Sequence, residues 1–295
     1  MKKILSYAFL GLLLSVSLIG CGANKEKRVV VASKNFTEQV ILGELVAQEI
    51  EAKTDIKVER RLNLGGTFIC HQGIIAGEID IYPEYTGTAF TAILKLPPIT
   101  NPRQVSETVK QQYARQFQLK WSEPLGFNNT FAIIIRGQDA RQFNITTLSQ
   151  VGKYTPKWRA GFGYEFIDRA DGLPGLAKTY GLTFAEAPKS MDLGLLYRAI
   201  AEKQVDLVAG NSTDGVIPTL DLVILKDDKQ YFPPYEAAIV TRAEAIAKYP
   251  ELDRVFHTLA GKITEQDMQR LNYLVDGEKK DPKQVVSEFR RSKNF

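Results

Sequence analysis

Between Arg28 and Tyr82 three short apolar or β-branched runs alternate with two helical patterns, and this rhythm leaves few folds open. Arg28–Ala32 (RVVVA) is bounded by a charged tether and by Ser33. An unbroken run of this kind suits a strand covered on both faces of a parallel sheet. Ser33 stands where it can cap the next element. From Phe36 to Ala52 the apolar residues Val40, Ile41, Leu45, Val46 and Ile50 recur near helical spacing. Lys57–Leu62 (KVERRL) reads as a second strand, and Gly65-Gly66-Thr67 turns the chain into a helix over Phe68–Ala76 that Gly77 ends. Ile79–Tyr82 is a short third strand. The β-α-β-α-β order predicts a parallel sheet with right-handed crossovers. Ligands bind beyond the carboxyl ends of such strands. That rule places Ser33–Gln39, Gly65–Thr67 and Tyr82–Thr88 (YPEYTGT) on one edge. The last of these reads as a turn, because Pro83 disfavours helix before it and Gly87 punctuates its far end.

The rhythm then restarts. After a helix over Gln104–Gln116, Leu119–Leu125 and Thr130–Ile135 read as strands linked by Gly126–Asn129. Strands over Trp158–Phe162, Val205–Ala209, Leu222–Leu225 and Ala237–Val240 are separated by helices over Gly172–Tyr180 and Leu193–Glu202, and the tail is helical from Arg242 onward. Two rounds of βα predict two α/β lobes. Residues 28–130 and 236–295 would form the first and residues 131–235 the second. The chain would cross near Phe127–Phe131 and Phe232–Glu236, with a ligand cleft between the lobes.

The leader MKKILSYAFLGLLLSVSLIGC has a short basic start and an apolar run from Ile4 to Ile19 that is short for a membrane span. Leu18-Ile19-Gly20-Cys21 resembles a lipobox. Residues 1–20 then read as a lipoprotein signal peptide, Cys21 as the lipidation site and residues 21–27 as a tether. A plain secretory signal and an uncleaved anchor are the alternatives. Without residues 1–20 the chain holds 36 basic against 34 acidic residues, with the signs interspersed, so a nucleic-acid partner is not expected. With Cys21 acylated, Cys70 is the one cysteine left and no intrachain disulfide can form. Cys70 and His71 are adjacent, but His257 is the only other histidine, so the pair reads as buried structure and no metal site is expected. Phosphate-loop, serine-hydrolase and zinc-protease motifs are absent.

The strand-end residues share a chemistry. Tyr82, Tyr85, Phe131 and Tyr235 are aromatic, Lys34 and Arg169 are cationic, and Thr67, Thr86, Thr88, Asn129, Asn211 and Ser212 are neutral and polar. Aromatic faces hold a quaternary ammonium group, which has no N–H to donate, at about 0.5–2 kcal/mol per face. Lys34 and Arg169 suit a carboxylate, which Arg grips with two bonds. A zwitterion with a methylated ammonium at one end satisfies both halves. Each residue taken alone is more often packing or a solvated charge.

SKNFTEQ (Ser33–Gln39), LGGT (Leu64–Thr67), GEIDIYPEYTGT (Gly77–Thr88), FNNTFA (Phe127–Ala132), STDG (Ser212–Gly215), LKDDK (Leu225–Lys229) and FPPYEAA (Phe232–Ala238) together resemble the osmoprotectant-binding proteins of ABC importers. These are the glycine betaine, choline and carnitine binders with a bilobal type II periplasmic-binding fold. The resemblance runs from about Val30 to the tail. It implies a cleft that traps a quaternary ammonium solute and hands it to the transmembrane permease subunit, in a lipid-anchored monomer outside the cytoplasm with no cofactor and no catalysis. Carried over, Tyr85, Phe131 and Tyr235 are walls of an aromatic cage, and Tyr82 is packing. Lys34, Thr88 and Arg169 are the carboxylate end, and Asn129 is a polar lining residue. Relatives often carry Tyr immediately before STDG, where this chain has Asn211. The loss of one face implies a grip on trimethylammonium weaker by about 1–2 kcal/mol, about tenfold. Asn211 would otherwise hydrogen-bond a ligand that has donors, such as a less methylated amine or a hydroxylated compound. A solute sensor on the same fold is a further alternative. An enzyme using Glu84, Glu165, Asp171 or Asp214 is another, although acidic residues at strand ends also cap helices.

Overall fold

The computed structural model describes residues 26–295; the leader and Cys21 lie outside the described residues. Ten strands divide equally between two mixed sheets. They are β1 (Arg28–Lys34), β2 (Lys57–Gly65), β3 (Ile81–Tyr85), β4 (Leu119–Trp121), β5 (Phe131–Arg136), β6 (Ala160–Phe162), β7 (Lys189–Ser190), β8 (Leu207–Asn211), β9 (Leu222–Ile224) and β10 (Ala237–Arg242). The first sheet has the order β2-β1-β3-β10-β4 and the second β7-β6-β8-β5-β9. The helices that bear on the site are α1 (Thr37–Lys53), α2 (Thr67–Ile75), α3 (Pro102–Phe117), α4 (Tyr164–Asp168), α5 (Leu193–Ala201), α6 (Glu265–Asp276) and α7 (Pro282–Lys293).

The β1-α1-β2-α2-β3 unit forms as its periodicity predicts, with β1 parallel to both β2 and β3. The sheet as a whole is not parallel. β10 enters after the chain has left and returned, and it runs antiparallel between β3 and β4. A second difference concerns YPEYTGT. Its first four residues are strand, and Thr86–Thr88 begin a helical turn that continues as a π-type turn over Ala89–Ile93. Pro83 is tolerated there for a geometric reason. Its partner Ile239 sends its N–H to Ser122 on the β4 side, so the missing N–H of Pro83 would have faced β1. The register of β1 with β3 reaches only Val31 and Ile81, so no ladder bond is lost. Ser33 does not cap α1; its hydroxyl donates to the Lys34 carbonyl and accepts from the Asn63 N–H.

α1 is buried along its middle from Ile41 to Ile50, more than a one-faced helix on a sheet requires. One face meets Val29 and Val31 of β1, and the other is covered by the tail, through Leu252, Phe256, Met268, Leu271, Val285, Val286 and Phe289. Each such Leu, Ile or Phe contributes about 1.5–3 kcal/mol when fully buried. The covering helix α7 is also fixed by charge, since Arg290 pairs with the buried Glu49 of α1. The tail therefore completes the first sheet's core, while the second sheet has cores of its own on its two faces.

Two strands of chain join these halves. Asn128 and Glu236 pair as an isolated antiparallel bridge, the Asn129 N–H donates to the Tyr235 carbonyl at 3.0 Å, and the Tyr235 N–H donates to Asn128 Oδ1 at 2.6 Å. The second sheet also touches the tail beyond β8. A Cβ on Gly215 would lie 2.3 Å from the Gln269 carbonyl oxygen and 2.6 Å from the Tyr273 nitrogen, both backbone atoms of α6. Backbone cannot yield as a side chain does, so Gly215→Ala should lower stability by about 1–3 kcal/mol in a urea titration. A midpoint equal to the parent's would show that this approach is looser than described.

Candidate functional site

The eight residues singled out in the sequence, Lys34, Tyr85, Thr88, Asn129, Phe131, Arg169, Asn211 and Tyr235, all line one cavity between the two sheets. They come from the carboxyl ends of β1, β3 and β8, from both crossings, and from the end of α4. Thr67, counted among the polar strand-end residues, lines it too, as do Phe36, Tyr164, Glu165 and Phe166, which were given no binding role from sequence. Each sits directly after a strand's carboxyl end or at the start of the helix that follows, so the topological rule would have found them.

Glu38, in the first turn of α1, is almost fully buried behind the cavity. Its Oε1 accepts from the Tyr85 hydroxyl at 2.6 Å and from Asn129 Nδ2 at 2.7 Å. Its Oε2 accepts from the Thr213 hydroxyl at 2.5 Å and from Asn272 Nδ2 at 3.0 Å. Glu38 thus sets the orientation of Tyr85 and Asn129 and ties the loop after β8 to α1 and α6.

Both cations of the cavity already have protein partners. Lys34 pairs with Glu84, both nearly without exposure. Burial pushes the Glu84 carboxyl up despite Lys34, and its Oε2 has no hydrogen-bond partner. Arg169 holds Asp171 with two bonds, Nε at 2.9 Å and Nη2 at 2.6 Å. Burial alone would raise the Asp171 carboxyl; Arg169, with bonds from Thr91 and Tyr235, outweighs it and holds the group below its ordinary value. Arg169 Nη2 also lies 3.4 Å from Thr88 Oγ1, so those two expected carboxylate ligands do meet. The Tyr235 hydroxyl is spent on Asp171 at 2.7 Å.

The rings are arranged edge to face. Phe131 stands 5.7 Å from Tyr235 at 72° and 4.9 Å from Phe166 at 73°. Phe36 stacks near Tyr85 at 6.3 Å. Lys34 Nζ lies 4.7 Å from the centre of the Tyr85 ring and the Arg169 guanidinium 5.1 Å from that of Phe131. Asn211 is not free: its backbone N–H and its Nδ2 point to Asp214 Oδ2 at 2.9 and 3.3 Å, and the Tyr197 hydroxyl donates to the same oxygen. Tyr82 is fully buried in the core, away from the cavity lining. Cys70 is buried, with its thiol pushed up to about 12, and burial lowers His71 to about 4. Both are neutral at pH 7, and His71 packs its ring on Tyr113 and Phe117.

Two α/β sheets joined by two crossings, with a polar and aromatic cavity between them, define a bilobal solute-binding protein of the periplasmic-binding type. The chain belongs to the family described as the substrate-binding domain of ABC-type glycine betaine transport systems, whose sequence model matches residues 27–292. It is 35% identical to the carnitine transport binding protein OpuCC of Listeria monocytogenes, over 95% of this chain and 92% of that one. It is 39% identical to the ergothioneine transport permease/ergothioneine binding protein EgtU of Helicobacter pylori, over 96% of this chain but only 51% of that protein. A crystal structure of a glycine betaine/carnitine/choline ABC transporter superposes with a TM-score of 0.73 at 33% identity, covering 90% of this chain and 98% of that one. These relatives are solute binders of transporters and not enzymes.

Asp214 gives the site a pH dependence. Burial raises its carboxyl to about 7, with Glu38 and Asp276 adding to the shift against the bonds from Tyr197 and Asn211. The folded chain therefore keeps a proton that the unfolded chain releases near 3.8. Below that value this group costs folding nothing. Stability then falls as pH rises toward about 7 and levels off above it. Asp214→Asn should remove this slope, so that relative to the parent it gains on the order of 1–3 kcal/mol at pH 8 over pH 4.5 in urea melts. Parallel curves for parent and variant would contradict the assignment.

Proposed function

We propose that this protein is the extracytoplasmic receptor of an ABC importer, held to the membrane by lipid on Cys21. It takes up a quaternary ammonium compatible solute such as glycine betaine and delivers it to a permease. The lobes are residues 28–130 with 236–295, and residues 131–235, and they close on the ligand as a hinge at the paired crossings. The observation that carries this reading is the gathering of Tyr85, Phe131 and Tyr235 with Phe36 in one cavity whose charges are already balanced or in acidic excess. Lys34 is matched by Glu84 and Arg169 by Asp171, while Glu165 shares Arg169 at 3.8 Å and Glu38 is met by hydrogen-bond donors. Such a surface favours a ligand that brings a positive group and offers it ring faces rather than hydrogen bonds. The ligand's carboxylate then adds to Arg169 and Thr88 instead of neutralising a bare cation. The names of the similar proteins, carnitine, ergothioneine and glycine betaine binders, all point to quaternary amines.

Asn211 favours a second reading within the same role. Its amide stands where a further ring would complete the cage, which suits a longer quaternary amine with its own hydrogen-bonding groups. Calorimetry of the full chain against glycine betaine, carnitine, choline, ergothioneine and unmethylated amino acids separates these readings. At least one quaternary amine should bind, and at 100 times its dissociation constant it should stabilise the fold by about 2.7 kcal/mol. Binding of a plain amino acid or a sugar with no response to any quaternary amine would sink the proposal. Asn211→Tyr should tighten glycine betaine about tenfold by restoring a face; unchanged or weaker affinity would mean that Asn211 contributes to the ligand itself.

A further inference from the structure

At the mouth of the cavity one carboxylate of the second sheet's half reaches across to the first. Glu165, the second residue of α4, accepts the backbone N–H of Thr67 at 2.5 Å through Oε1. Thr67 opens α2, a nine-residue helix, and the first N–H groups of a helix have no partner within it and carry the positive end of its dipole. The cap residue is Gly66, which has no side chain to supply that partner. The Thr67 hydroxyl beside it is fully buried and has no hydrogen-bond partner among the described residues. Glu165 Oε2 lies 3.8 Å from Arg169 Nη1, so its carboxylate is held from behind by a guanidinium of its own half.

Gly66 is what allows this approach. A Cβ there would stand 2.1 Å from Glu165 Oε1 and 2.7 Å from the Tyr164 hydroxyl. Its φ of −77° is open to any residue, so glycine supplies room at this point and not backbone freedom. Elsewhere the two halves meet through side chains at the back of the cavity, at Glu38 with Thr213 and at Thr91 with Asp171. Glu165 and Thr67 differ from those pairs in lining the cavity, as Thr88 and Arg169 also do.

We propose that Glu165 is the positioning residue that shuts the cavity, docking on the N-terminus of α2 when the lobes close and setting how slowly a bound ligand leaves. This rests on the reading of the cavity as the ligand site. A bond formed only after closure acts on release more than on capture. A charged acceptor on a helix N-terminus is a strong hydrogen bond, so its loss should be large in the release rate.

The test uses the full chain with glycine betaine as probe. Glu165→Ala should raise the dissociation rate in stopped flow about tenfold while the association rate stays within about twofold. Gly66→Ala should do the same without touching the carboxylate, by blocking its approach. Glu165→Gln keeps an acceptor and should fall between parent and Glu165→Ala. The ligand-free melting temperature of all three should match the parent's, which separates closure from a general loss of packing. Without ligand the latch forms only in the fraction of molecules that has closed; hydrogen exchange at the Thr67 amide reports that fraction, and it should quicken in Glu165→Ala and Gly66→Ala. If glycine betaine does not bind the parent, the ligand reading fails and exchange at Thr67 alone decides the latch. Dissociation rates equal to the parent's, or Thr67 exchange unchanged in both alanine variants, would overturn the proposal.

Discussion

Glu38 accepts four hydrogen bonds from four separate pieces of chain: Tyr85 at the end of β3, Asn129 in the first crossing, Thr213 after β8, and Asn272 in α6. A buried carboxylate is costly unless its lone pairs are met, and here each oxygen has two donors. It also sits in the first turn of α1, where the helix dipole favours negative charge. The dependence runs both ways. The tail must fold back to bring Asn272, and the second half must lie against the first to bring Thr213. One cage ring, one polar lining residue and the contact between the halves are thus fixed by the same group.

The charge pairs extend this logic. Lys34 with Glu84 and Arg169 with Asp171 are buried, and burying either member alone would be expensive. Pairing them inside the protein separates two tasks that the residue types alone would merge. The cations keep their place without a ligand, so the cleft need not be held open by repulsion or collapse around a stray anion. On the proposed reading, a zwitterion would gain from ring faces and from the leftover donors of Arg169 and Thr88. Selectivity would then fall to the lining that is not charge-paired, which is where Asn211 lies.

Much of this was legible in the residues. The βα rhythm gave two α/β halves, and strand-end topology together with the family resemblance drew together eight residues that do share a cavity. What escaped has physical causes. A returning strand reads the same in either direction, so periodicity could not show β10 as antiparallel. Pro83 argues against a strand only when its N–H position faces a partner, which depends on where β1 diverges. Strand-end topology places Glu38 and Glu165 near the edge, but their roles were unreadable because their hydrogen-bond partners lie across sequence gaps that no spacing encodes. Carboxylates at such places look like helix caps, and Glu165 does serve a helix end, though one from the other half of the molecule.

Asn211 carries the argument about specificity to its last step. Replacing a ring by an amide removes a dispersive and electrostatic face, but it does not leave a bare polar group in the cavity. Asp214 takes up the Asn211 N–H groups, and Tyr197 closes the set on the same oxygen. That anchoring requires a buried acid whose own charge is disfavoured, and the raised Asp214 carboxyl is the mark of that cost. A ring at this position would need no such support. The amide therefore has an expense attached to it in stability that a hydrophobic wall would not. On the proposed reading, the Asn211 amide is the part of the lining by which ligands with and without hydrogen-bonding groups would be told apart.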